Sequence, residues 1–491
     1  MTARTLGPRL AAALVFVASG AVLVLEIVSL RLVAPYVGLT LETNTAVIGV
    51  ALGAIAAGAW LGGRAADLVA PARLLGPLLL GGGALVMVVG PLVRWTGDLG
   101  RGGDAGTVIL IAGVAVFAPA ALLAAVSPVV VKLRLATLAE TGTVVGRLSG
   151  IGTLGAIAAT FITGFVLVAM VPTTVILLGL GGVLVAIGAA LTVWLRGFRP
   201  VAGPLVLAVL GAGATVLAPN PCDVETAYHC ARVRADPNRE SGRLLELDTL
   251  QHSYVDLKDP THLEFSYVRG VAAAVDAFWP AGTPVRALHI GGGGLTLPRY
   301  LGATRPGTAS LVLEIDRGVL EVDAERLGFR PGAGISTRVI DGRIGVADEP
   351  TAARDLVVGD AFGGVAVPWH LTTRELVADI RRVLADDGLY AVNIIDRPPL
   401  AFVRAEVATI AAEFGHVALV ARPDQLDRDG GGNFVVLASD RPLPIDAIRA
   451  HLLDRGGELM LADGPAAARF AGDARILTDD FAPVDQLLTP Y

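Results

Sequence analysis

Along residues 1–218 apolar positions run almost unbroken, in stretches of about 20 residues separated by short segments holding Arg, Pro and Gly. Stretches of that length with so few charges predict membrane-spanning helices, because only a helix satisfies its own backbone polar groups away from water. Seven spans are predicted, near 11–33, 44–63, 74–93, 107–130, 148–170, 174–195 and 201–218. The first is too long for a cleaved leader, carries Glu26, and is followed at once by further spans. After Pro219 and Pro221 the pattern changes. Residues 227–257 alternate apolar and polar positions between turn-forming Asp, Pro, Asn and Gly, which predicts a small β-sheet. A helix near Leu263–Phe278 follows. Strands near 285–290, 309–315, 336–340, 355–359 and 388–394 then alternate with helical stretches, the order of a mostly parallel sheet with helices on both faces. The predicted fold class is therefore an α-helical transmembrane bundle, a small β-sheet and an α/β Rossmann-like domain. The boundaries fall at 1–218, 219–270 and 271–491.

Charge sharpens this picture. Only 17% of residues are charged, against about 25% in a soluble protein. Net charge is −6 and nearly all basic residues are Arg. With no basic patch interleaved with aromatics, nucleic acid is excluded as a partner and the lipid bilayer is the expected one. Arg4, Arg9, Arg64, Arg73, Lys132, Arg134, Arg147, Arg196 and Arg199 all fall in alternate loops. That bias puts the N-terminus in the cytoplasm, and seven spans then put the C-terminal domain outside. Cys222 and Cys230 predict a disulfide if their segment meets an oxidising compartment, with two free thiols as the alternative. His229 lies beside them, but nothing completes a metal ligand set. Gly49, Gly53, Gly58 and Gly62 along the second span predict close helix approach. Glu26 and Arg31 read either as an interfacial pair or as part of a polar path.

The chemistry gathers further along. Gly291–Gly294 end a short apolar strand and precede a helix start, where free backbone N–H groups and side-chain-free backbone admit a phosphate or nucleoside. Gly291 and Gly293 are the candidate cofactor contacts, although Thr296 stands where a dinucleotide fingerprint has its third Gly. Glu314 ends the next strand and can accept both hydroxyls of a ribose. Asp341, with Gly342, follows the third strand and suits an adenine amino group. Asp360 follows the fourth and points at the cleft. A single acid at a strand end can instead cap the following helix, but three in series predict a nucleoside site. His370 reads as a second base or as a helix-start histidine. The C-terminal TDDFAPVDQL, with Asp479, Asp480 and Asp485, reads as a solvated tail, folding back onto the domain being the alternative.

Over residues 240–400 these motifs resemble the spermidine synthase (polyamine aminopropyltransferase) family, and more narrowly the membrane-fused major-facilitator/spermidine synthase proteins of bacteria. LLELDTLQHS resembles a family strand carrying a cofactor-contacting Gln; His252 falls in that register, with Gln251 beside it. LEFSYVR resembles D-E-F-x-Y-H-E, matching Tyr267 to the family Tyr. IGGGGLTLPR resembles I-G-G-G-D-G-G-x-L-R-E, LEID resembles V-E-I-D, and GDAF resembles D-[SC]-[ST]-D-P, whose first Asp is the base. The loop GGRAADLVAPAR, with Gly63, Asp67 and Arg73, resembles the loop between the second and third helices of major-facilitator transporters.

The resemblance implies a class I S-adenosylmethionine-dependent transferase fold and aminopropyl transfer to an amine. It also implies decarboxylated S-adenosylmethionine or S-adenosylmethionine as co-substrate without metal, Asp360 as base, Tyr267 near the substrate, and a homodimer; His370, close after Asp360 in sequence, is a candidate substrate contact on its own account. The departures are Gly294 for an Asp, Tyr300 for a Glu, Val268 and Arg269 for His and Glu, and Gly363 for the second Asp of the catalytic segment. These positions largely hold amines. The alternatives are therefore another S-adenosylmethionine-dependent transferase, such as a methyltransferase, or a non-catalytic polyamine or nucleoside sensor or transporter accessory.

Overall fold

The computed structural model describes residues 6–38, 41–99, 105–135, 137, 140–196, 202–217, 221–332, 334–364 and 366–488. The chain forms two compact units, Met1–Cys230 and Ala231–Tyr491. The first holds α1 (Pro8–Val37), α2 (Leu41–Leu68), α3 (Pro71–Leu99), α4 (Ala105–Ala124), α5 (Val126–Arg134) and α6 (Thr141–Ile162). Then α6 runs through a π-turn into α7 (Val168–Met170), before α8 (Thr173–Arg196), α9 (Ala202–Leu217) and the short β1 (Val224–Glu225).

Six helical segments among the described residues are long and apolar enough to cross a membrane, α4 with α5 and α6 with α7 each forming one. The seventh predicted span emerges as α9, of 16 residues. Those described residues make about 24 Å of helix, against a hydrocarbon core of about 30 Å. Only part of the glycine stripe on α2 serves packing. A side chain at Gly58 would collide with the backbone of Ala121, and one at Gly62 would meet Ala125 at 2.7 Å, whereas Gly49 and Gly53 face open space. Arg31 donates to the carbonyls of Val168, at 2.7 Å, and of Thr226. Lys132 pairs with Asp67 at 2.7 Å. Cys222 and Cys230 form a disulfide.

The second unit opens with an antiparallel meander of β2 (Cys230–Asp236), β3 (Arg239–Leu247) and β4 (Leu250–Asp256), then α10 (Ser266–Phe278). Its main sheet contains β5 (Arg286–Ile290), β6 (Ala309–Glu314), β7 (Ile335–Val339), β8 (Arg354–Gly359), β9 (Leu384–Asp396), β10 (His416–Ala421), β11 (Gly432–Ser439) and β12 (Met460–Ala462). The order is β12-β10-β11-β9-β8-β5-β6-β7, parallel from β9 to β7 and antiparallel beyond β9. Helices α11 (Thr296–Thr304), α12 (Arg317–Arg326), α13 (Gly342–Ala347) and α14 (Arg374–Val383) follow the parallel strands. Leu288, Ile290 and Val357 enter one core, while Ala287, Leu356, Val358 and Ala391 enter the other with α10. This two-sided burial explains why these strands read as continuous apolar runs.

The C-terminal segment is not a solvated tail. Leu477 and Val484 are buried, and Arg343 makes a bidentate pair with Asp479 at 2.7 Å. Sequence periodicity missed this because two apolar anchors in an acidic stretch carry no regular spacing.

Candidate active site

Strand β5 has β6 on one side and β8 on the other, so the chain diverges in opposite directions from its carboxyl end. Crevices at such switch points are the usual ligand sites of parallel sheets. The loop there is shaped by close approach. Gly291 has φ +96°, and any side chain on it would strike the carbonyl oxygen of Asp360. Gly292 N donates to Glu314 Oε2 at 2.8 Å. Gly293, at φ +46°, leaves a would-be Cβ 2.5 Å from Ser253 Oγ. Gly294 N donates to Ser253 Oγ at 2.9 Å, and Thr296 Oγ1 donates to the Tyr254 carbonyl at 2.9 Å. The meander strand β4 thus clamps the glycine loop.

A small, partly open pocket lies beside this loop, lined by Asp360, Tyr267, Asn393, His289, Ser253 and Glu264 among others. Tyr267 Oη donates to Asp360 Oδ2 at 3.0 Å, and Asn393 Nδ2 donates to Asp360 Oδ1 at 2.9 Å. Asn433 Nδ2 in turn donates to Asn393 Oδ1 at 3.0 Å, which fixes which end of the Asn393 amide faces the acid. Burial lifts Asp360 to about 6, and the two hydrogen bonds only partly offset it. Burial and the neighbouring Asp360 charge push the Tyr267 phenol well above its usual range. Near neutral pH, then, Asp360 is a carboxylate that takes up a proton readily, and Tyr267 is a fixed donor.

The other candidates sit at adjoining strand ends but outside the pocket lining. Glu314 is buried, and its Oε1 also accepts the Asp316 amide at 2.8 Å. Asp341 caps α13, accepting the Arg343 amide at 2.9 Å, and its Oδ2 lies 2.9 Å from His370 Nε2. Gly342 packs so tightly that a Cβ would stand 2.5 Å from Ile290 Cγ2. His370 therefore faces Asp341 rather than Asp360. Ile315, Ile344 and Trp369 stay exposed along this edge. On β4, Gln251 is exposed and His252 half-buried, and Ser253 and Tyr254 line the pocket instead. The register shift beside Glu246 accompanies that one-residue displacement from the expected strand position.

No family model matches the chain. The polyamine aminopropyltransferase of Vibrio vulnificus is 27% identical over 248 residues, 48% of this chain and 79% of that one. That of Chromobacterium violaceum is 28% identical over 189 residues, 35% of this chain and 69% of its own. The crystal structure of a probable spermidine synthase from Corynebacterium glutamicum superposes with a TM-score of 0.50 at 28% identity, covering 53% of this chain and 97% of that one. The C-terminal half is spermidine synthase-like. Within a spermidine synthase-like frame, the departures have local causes. A side chain at Gly294 would meet Ser253 Cβ and Val255 Cγ2, both at 2.9 Å. Tyr300 is buried and donates to Asp276 at 2.9 Å. Arg269 pairs with Glu458 at 2.6 Å and does not line the pocket.

Sequence reasoning missed Ser253, Glu264, His289 and Asn393. The available signal was a polar residue inside an apolar strand, His289 in RALHI and Asn393 in LYAVNII.

Proposed function

We propose that this chain is an integral membrane aminopropyltransferase, moving an aminopropyl group from decarboxylated S-adenosylmethionine to an amine. The observation that carries the reading is Asp360, buried at the wall of a pocket, held by Tyr267 and Asn393 and raised to about 6. The amine nitrogen must lose a proton before its lone pair attacks the carbon beside the sulfonium. Asp360 takes that proton, the new C–N bond forms, the C–S bond breaks, and sulfur leaves as the neutral thioether methylthioadenosine. The pocket's task is to orient two cations, and a carboxylate inside a low-dielectric wall does so strongly.

The residues present fit an adenosyl group. Glu314 and Asp341 supply acceptors for ribose and base, and the exposed Ile315, Ile344 and Trp369 offer an apolar wall for a purine. Gly291, Gly293 and Gly342 let the loop and the start of α13 pack against Asp360, Ser253 and Ile290, which holds the cleft in shape. Gln251 and His252, on the meander, and His370, through Asp341, belong to the periphery of this reading. The intact chain in detergent, given decarboxylated S-adenosylmethionine and a panel of amines, is expected to release methylthioadenosine; no release with any amine overturns the reading.

The proposal extends to domains and placement: residues 1–218 as the membrane part, 219–270 as a β-rich region and 271–491 as the transferase domain, in a homodimer. Counting α9 as a seventh span puts the transferase on the extracytoplasmic side, which the Cys222–Cys230 disulfide supports. An enzyme so placed depends on an extracytoplasmic supply of its adenosyl co-substrate. A reporter fused after Tyr491 that is active only in the cytoplasm overturns that placement.

A further inference from the structure

His289 stands in the middle of β5 at 3% exposure, and its Nε2 makes no hydrogen bond. Its lateral neighbours in the sheet are Val312 on β6 and Val358 on β8, neither able to offer a polar side chain. The same registers put His289, Asp360 and Asn393 on one face, since Val358 pairs with both His289 and Ala391 and each acid or amide lies two residues further on. All three line one pocket. Burial, aided by the Arg354 charge, lowers the imidazole to about 3, so it is neutral and repels no cation. A buried polar atom without a partner destabilises a fold, and an aliphatic residue would suit this strand better. The pocket's occupant is what remains to satisfy it. Phe265, Val268, Val271, Leu297 and Val358 give the pocket an apolar side, while Ser253, Tyr254, Thr296 and Glu264 line the rest.

We propose that His289 is a substrate contact, its Nε2 accepting an N–H of the acceptor amine beside Asp360, and that the acceptor is an amine on an apolar stem. This rests on the pocket being the amine site of the proposed reaction. One carboxylate, Asp360, and one neutral acceptor, His289, meet the reacting nitrogen, and the stem lies against the aliphatic walls. Among the described lining residues the one carboxylate left for a second ammonium is Glu264, a group 51% exposed and shared with His262 at 3.0 Å.

The test is calorimetric titration of the full chain in detergent with 1-aminobutane and with 1,4-diaminobutane. The two amines are expected to bind within about fivefold of each other. His289→Val should weaken both by about tenfold or more, while His289→Gln, whose amide reaches the Nε2 position, should recover most of the loss. Wild-type binding of neither amine, undiminished binding in His289→Val, or no recovery in His289→Gln overturns the proposal. Should the valine variant unfold, ¹⁵N-histidine-labelled wild type decides: the His289 Nε2 resonance moves on adding 1-aminobutane if the contact exists and stays put if it does not. Amine binding without methylthioadenosine release removes the proposed reaction and leaves the His289 contact standing.

Discussion

The two edges of the cleft treat their acids differently. At the β6–β7 edge, Glu314 and Asp341 accept backbone amides, from Gly292 and Asp316 and from Arg343. Those donors belong to a turn and a helix start, so these acids serve the fold whether or not a ligand is bound. At the β8 edge Asp360 is held by two neutral side chains, Tyr267 and Asn393, inside a pocket. Its charge is costly there, and the fold gains no cap from it. An acid that the architecture uses can be kept for stability alone; an acid that the architecture pays to hold points to chemistry.

Removing the costly charge should have the largest effect. Asp360→Asn is expected to lower aminopropyl transfer by about 10²–10⁴-fold. In the wild type the rate should rise as pH passes about 6, because only the carboxylate accepts the proton; the variant's residual rate should lack that inflection. Stability should move the opposite way. The folded pKa lies above the unfolded value near 3.8, so the native state holds this proton more tightly. Stability therefore falls as pH rises from about 4 to about 6, and the deficit, at most about 3 kcal/mol, persists above. The asparagine variant should be the more stable protein at pH 8, with the difference vanishing near pH 4. Asp396 is raised to about 6 as well, but it is present in both proteins and cancels. Unfolding followed at several pH values checks this, and a variant less stable than wild type at pH 8 breaks the contrast between the edges.

How much of this was legible beforehand follows from the kind of signal each feature leaves. Parallel strands buried on both faces leave apolar runs, so β5, β6, β8 and β9 were visible within a few residues, while the edge strand β7 was placed by the spacing of its neighbours. Strand-end acids follow from that frame, and Asp360 with them. The pairing of His370 with Asp341 joins residues 29 apart, with α13 and β8 between them, and so leaves no periodic trace. Ser253 rather than His252 met the glycine loop because a register shift in the meander changes which side chains point inward. The seventh apolar run was readable at 201–218, and α9 fills 202–217 of it. Asn393 was hidden because its partners, Asp360 and Asn433, arrive from β8 and β11, brought together only by strand order.

The glycine loop gives the next test. If the missing family Asp were merely lost, Gly294→Asp would restore an amine ligand. The packing predicts otherwise: Ser253 Cβ and Val255 Cγ2 would each stand 2.9 Å from the new Cβ. Destabilisation of about 1–3 kcal/mol by overpacking, with no gain in amine affinity, is expected from thermal unfolding and titration. Tighter amine binding would mean that the β4 clamp yields. At the β6–β7 edge, Asp341→Ala should cost about 1 kcal/mol through the lost α13 cap. Asp341→Asn keeps a capping oxygen and should regain most of that stability, yet bind methylthioadenosine severalfold more weakly than wild type. Equal affinity in the asparagine variant would reduce Asp341 to a cap.

The smallest effect sharpens the comparison most. Asn433 does not line the pocket; it touches Asn393, whose Nδ2 donates to Asp360. With Asn433 in place, Asn393 Oδ1 is occupied and its amide cannot turn without losing a bond. In Asn433→Ala that restraint is gone, and a turned Asn393 aims an oxygen at a carboxylate. Either loss or reversal of the donor removes an interaction that lowers the Asp360 pKa, so the acid should titrate higher. The expected result is a fall of a few fold in turnover below pH 7, a pH inflection moved upward from about 6, and near-normal turnover at pH 8.5. A purely structural role for Asn433 would lower the rate by the same factor at every pH. An unmoved inflection would therefore show that Asn393 keeps its donor toward Asp360 without help, and that Asn433 only fills space.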